Sequence, residues 1–98
     1  MAKYFRQGDV VLKQINSIPS GLKNKDLTLA YGEITGHQHR LLTGSVVVDT
    51  NGTQYVELSV PTQLVHEEHD TLELPKGCFQ VLLQREYDVV NGIRSVLD

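Results

Sequence analysis

Four histidines occur in the chain, and all of them fall into two short groups, His37-Gln38-His39 and His66-Glu67-Glu68-His69. A neutral imidazole offers a lone pair that suits Zn, Fe, Ni, Co or Cu, and a carboxylate adds a harder donor to the same sphere. Side chains two apart on an extended strand project from one face, so His37 and His39 reach the same point by default. His66 and His69 would point to opposite faces of a regular strand. Both serve one site only if the chain turns or bulges at Glu67-Glu68. Without that turn, His66 pairs with Glu68, and the set becomes three imidazoles and a carboxylate.

Either arrangement predicts a bound divalent transition metal, held by His37, His39, His66 and His69 or with Glu68 in place of His69, with zinc foremost and Fe, Ni, Co or Mn as the other candidates. Three protein ligands with an open position are usual for catalytic zinc, and four closed ligands for structural zinc. An open ion would lower the pKa of a bound water or polarise a small substrate, which supports hydrolysis or isomerisation. Tyr31, Arg40, Arg85 and Tyr87 are the candidates to line such a site, although their ordinary roles are strand edge and solvated face. The residues name no substrate.

Each of these features has an ordinary reading. A single H-x-H pair is commonly a surface feature with no ligand, and the second group gives this one its weight. Exposed histidines, or a pH-responsive cluster near the usual imidazole pKa of about 6.5, would leave the same pattern. Glu67-Glu68 reads as a solvated turn, or as a carboxylate that orients a ligating ring. Cys78 is a soft candidate ligand, yet Phe79 and Val81 beside it predict a buried structural thiol. His66-Glu67-Glu68-His69 is not the zinc-protease H-E-x-x-H, because Asp70 stands where the second histidine is required. No phosphate-binding or dinucleotide-binding glycine pattern occurs, and Ser45, Ser59 and Ser95 lack a nucleophile-elbow context.

The elements that position these residues read as short strands. Asp9–Ile15 is the first, closed by the Pro19 and Gly21 loop, and 27–31 alternates up to Gly32. The segment 40–49 carries the β-branched run Val46-Val47-Val48, and Asn51-Gly52 predicts a hairpin into 54–60. Further strands are expected at 62–66, 71–74 and 78–87, with Pro75-Lys76-Gly77 as a turn. A second Asn-Gly signal stands at Asn91-Gly92, where the alternative is a short terminal helix. About six to eight short strands predict an all-β barrel or sandwich.

Several partner classes drop out on composition. A 98-residue chain is expected to form one domain over 1–98, with one modest core. The formal net charge of −3, with Lys and Arg dispersed, disfavours nucleic acid. One cysteine cannot pair within the chain, which fits a reducing cytoplasm, and no stretch reads as a signal peptide or a membrane span. Metal, small-molecule and protein partners remain, and the open edges of a small β-domain suit homo-oligomers. The alternative to a catalytic or ligand-binding metal site is a non-enzymatic interaction module, phage-encoded and host-directed, with a structural metal or none. An exposed strand edge or apolar patch would then carry the contact.

Gly32-Glu33-Ile34-Thr35-Gly36-His37-Gln38-His39, His66-Glu67-Glu68-His69, Leu74-Pro75-Lys76-Gly77 and Gln84-Arg85-Glu86-Tyr87 together resemble a family of small, uncharacterised bacterial and phage proteins. The resemblance covers most of the chain from Gln7 onward and implies a stand-alone domain without an assigned activity. More loosely, His37 and His39 with Pro75 and Gly77 are similar to the H-x-H and P-x-G elements of cupins, which implies a metal-binding β-barrel. The cupin glutamate after H-x-H is absent, since Leu41, Leu42, Thr43 and Gly44 stand there. No histidine follows Gly77 at cupin spacing. Likeness of architecture supplies no function.

Overall fold

Alternation of apolar and polar residues becomes alternation of buried and exposed side chains in strand after strand. In the computed structural model, which describes residues 3–31 and 36–83, ten strands form. They are β1 (Tyr4–Gln7), β2 (Val10–Ile15), β3 (Lys23–Lys25), β4 (Thr28–Tyr31), β5 (Gln38–Leu41), β6 (Ser45–Val48), β7 (Gln54–Leu58), β8 (Thr62–Val65), β9 (Leu72–Leu74) and β10 (Gly77–Leu83). All are paired antiparallel in two sheets, one ordered β1-β2-β10-β7-β6-β3 and the other β4-β5-β8-β9.

One apolar core joins the sheets. Val10, Leu12, Val46, Val56, Leu58, Phe79 and Val81 come from the six-stranded sheet, and Leu29, Ala30, Leu41, Leu64 and Leu74 come from the other. Removing these side chains from water is the main favourable term in folding. Polar bonds also cross between the layers. Gln54 on β7 donates to the Leu29 carbonyl at 2.8 Å, and Gln7 on β1 donates to the Leu64 carbonyl at 2.8 Å. The architecture is sandwich-like, and among the described residues neither sheet closes into a barrel.

Ten described strands exceed the expected six to eight, for two physical reasons. The segment 40–49 is not one strand. It breaks at Leu42-Thr43-Gly44, where Gly44 takes a φ of 114° and the chain passes from β5 in one sheet to β6 in the other. A Cβ at Gly44 would fall 2.5 Å from Leu58 Cδ2, so the crossing packs directly on the core. The other additions are β1 and β3, whose sequences YFRQ and KNK lack an apolar alternation of their own. Pairing with β2 and β6 makes them strands.

The Asn51-Gly52 hairpin is present between β6 and β7. Its loop is wider than a two-residue turn, with the Asp49 carboxylate accepting the N–H groups of Asn51 and Thr53, each at 2.9 Å. Residues 84–98 lie outside the described residues, and with them the end of the expected 78–87 strand, Arg85, Tyr87, Ser95 and the second Asn-Gly signal.

Candidate metal centre

His39 sits on β5 with its ring turned inward, in the pattern that also buries Leu41 on the same strand. It is 2 % exposed. Such a ring needs its polar atoms satisfied from within the protein. Gln7 supplies this for Nδ1. The Gln7 amide nitrogen donates to the carbonyls of Leu64, at 2.8 Å, and Asp70, at 2.9 Å. Its oxygen is therefore the atom that faces His39 Nδ1, at 2.9 Å. An oxygen there accepts, so Nδ1 carries the hydrogen and the neutral ring keeps its lone pair on Nε2. Fixing one nitrogen of a histidine in this way makes the other a ready ligand.

After β8 the chain bends at 67–69 and returns His69 toward His66. The N–H groups of Glu68 and His69 both donate to His66 Nδ1, at 3.0 and 3.3 Å, so the imidazole caps its own turn. The ring centroids of His66 and His69 are 4.6 Å apart, and those of His39 and His66 are 4.3 Å apart. His39, His66 and His69 each present a ligand atom within 4.8 Å of the other two. Burial falls in that order, from buried to half-buried to exposed, which leaves the trio reachable from solvent through His69.

His37 joins a neighbouring set instead. His37, His66 and Glu67 form a second group with ligand atoms within 4.8 Å of one another, and His37 Nδ1 lies 4.0 Å from a Glu68 oxygen. The four imidazoles are thus arranged as two overlapping sets that share His66. Within the second set, the carboxylate is Glu67 rather than Glu68. Glu67 accepts the Gln38 N–H at 2.9 Å, and that bond holds its carboxyl below the usual glutamate range. The His66 pKa is pushed down, first by burial and next by the neighbouring His69.

The turn between β1 and β2 closes the site from the other sheet. Gly8 takes a φ of 60° while Asp9 does not enter positive φ, the pattern of a two-residue hairpin with glycine first. A Cβ at Gly8 would fall 2.5 Å from His69 Nε2, so the backbone approaches that ring as closely as only glycine permits. Asp9 places a carboxylate oxygen 3.6 Å from His39 Nε2. Gln7, Gly8 and Asp9 are the site residues that sequence reasoning passed over. The available signal was Gly-Asp itself, a hairpin dipeptide standing before an alternating segment.

Three other candidates fall among the described residues. Tyr31 is exposed at the end of β4, and Arg40 is exposed on β5, whose alternation turns it away from buried His39. Cys78 is half-buried rather than buried, because it alternates with the core residue Phe79 and faces the outside of the sheet between Ile15 and Glu57. Burial, helped by the Glu57 charge, pushes its thiol pKa up, which makes it a poor nucleophile. No described histidine shares a ligand set with it.

Comparison with known families returns one model, described as "Domain of unknown function (DUF8820)", which matches residues 6–84. The chain belongs to this family. The matched span contains both histidine groups and the Gln7-Gly8-Asp9 turn, so the whole candidate centre lies within DUF8820. No curated protein and no solved structure matches. Among the described residues of this DUF8820 domain, no helix is long and apolar enough to cross a membrane.

Proposed function

We propose that this domain binds one divalent transition-metal ion through His39, His66 and His69, with zinc as the foremost candidate and Fe, Ni, Co and Mn as the others. The observation that carries the reading is buried His39, whose Nδ1 hydrogen is committed to Gln7 inside a trio of imidazoles within 4.8 Å. Donor atoms on a four-coordinate zinc stand about 3.4 Å apart for bonds of roughly 2.0–2.1 Å, a spacing compatible with a trio whose ligand atoms all lie within 4.8 Å of one another. His37 and Glu67, which share His66 with the trio, stand beside it as flanking donors.

Elemental analysis of protein purified without a histidine tag is expected to show about one metal per chain. That content should fall to background in the double variant His39→Ala, His66→Ala. Near-zero metal in the parent protein after refolding with zinc and gel filtration would overturn the reading.

A further inference from the structure

The structure assigns a second, alternative cation position to His37, His66 and Glu67, suited to a harder divalent ion such as Mn(II) or Fe(II) and exclusive of the three-histidine position. The inference rests on the three-histidine reading for the ion that competes at His66, and it gives the flanking donors an ion of their own.

Each of the three residues presents a ligand atom within 4.8 Å of the other two. His37 immediately precedes β5, and the centroid of its ring stands 5.6 Å from that of His66, with the planes at 84°. Glu67 is brought there by the backbone. Its Oε1 accepts the Gln38 N–H at 2.9 Å, which ties the bend after β8 to the start of β5. A carboxylate has about four lone-pair sites, so that bond leaves oxygen capacity for an ion. Glu68 adds negative charge nearby, with an oxygen 4.0 Å from His37 Nδ1.

The two positions differ in donor type. Three imidazoles suit a borderline ion such as zinc. Carboxylate and water suit Mn(II), and two imidazoles with one carboxylate suit Fe(II). Glu67 is exposed while His37 and His66 are half-buried, so water has access to fill the rest of the sphere of a harder ion. Sharing then decides the stoichiometry. A neutral imidazole carries one free lone pair, because its other nitrogen is protonated. His66 therefore serves one ion at a time, and filling either position empties the other. Metals of different hardness compete for this chain while touching different residues.

Manganese(II) is the probe, since its sharp aqueous EPR spectrum collapses on binding. The test compares the full untagged chain with E67Q, H37A and H69A. E67Q keeps an acceptor for the Gln38 N–H while removing the charge, and thermal unfolding of the metal-free proteins checks that each folds. In the parent protein Mn(II) should bind, and zinc should release it one for one. E67Q and H37A should each weaken Mn(II) binding by at least the roughly tenfold that loss of an outer partner costs a metal site, with far smaller changes for zinc. H69A should do the reverse. No Mn(II) binding in the folded parent, or unchanged Mn(II) affinity in both E67Q and H37A, would overturn the second position. Mn(II) that stays bound beside saturating zinc would overturn the sharing of His66. Equal losses for both metals in every variant would merge the sets into one site and overturn the proposal too. Zinc affinity unmoved by H69A, with the manganese losses as expected, would strike the three-histidine reading and leave this position standing.

Discussion

Replacing Gln7 by leucine removes three hydrogen bonds at once and leaves three polar groups behind. These are the Leu64 carbonyl, the Asp70 carbonyl and the His39 Nδ1 hydrogen. Each buried group left unsatisfied costs about 1–3 kcal/mol. Two of the three costs are reduced, since the Asp70 bond is only part-buried and His39 can move its proton to Nε2. The sum is about 3 kcal/mol, a large share of the roughly 5–15 kcal/mol that stabilises a domain. At 4–8 °C per kcal/mol for a chain of this size, the melting temperature should fall by roughly 12–24 °C. The proton shift has a second effect, because it removes the lone pair from Nε2. Metal affinity should then drop about 10–100-fold, the usual effect of losing a group that orients a ligand. Thermal unfolding with and without chelator, followed by competition with a chromophoric chelator, measures both quantities. A Gln7→Leu protein within about 0.5 kcal/mol of the parent, with unchanged metal affinity, would refute the idea that Gln7 sets the His39 tautomer.

Three further outcomes are expected. Gly8→Ala combines a positive-φ alanine with a Cβ 2.5 Å from His69 Nε2, so it should cost about 1 kcal/mol or more and weaken metal binding by displacing that ring; a stable variant with full affinity would place His69 outside the centre. In metal-free protein, the lowered His66 pKa means the folded chain holds fewer protons than the unfolded chain just below pH 6.5. Stability should therefore decline as pH falls from about 6.5 through the folded value, and a melting temperature that rises on acidification would contradict this sign. Metal addition should move the amide resonances of Glu68 and His69 and speed their exchange, because coordination at Nε2 returns the proton to His66 Nδ1 and ends its role as acceptor. Unmoved resonances at saturating metal would show that His66 keeps its cap.

Much of the fold was legible because burial leaves a period of two in the sequence. β2, β7 and β8 stand where alternation predicts them, and Asn51-Gly52 makes its hairpin. Edge strands escape that logic, since Tyr4–Gln7 and Lys23–Lys25 are strands through their neighbours' hydrogen bonds rather than through their own apolar pattern. The site divides in the same way. The histidine types and spacing point to their chemistry directly, and the stated condition of a turn at Glu67-Glu68 matches the bend that returns His69 toward His66. Their grouping depends on tertiary placement, which parts His37 from His39 and puts Glu67 rather than Glu68 beside His66. Gln7 was invisible as a positioning residue, because its partners lie 32, 57 and 63 positions away in the chain.

That last separation also orders events in time. A chain emerging from the ribosome at about 5–20 residues per second presents Gln7 several seconds before Asp70 exists to accept its proton. Until then the His39 ring samples both tautomers, and the His37-Gln38-His39 pair meets ions as a loose chelator with no commitment of either nitrogen. The Gln7 amide makes both of its carbonyl bonds only when the segment around residue 70 docks, so an ion held as proposed would be loaded at the last stage of folding.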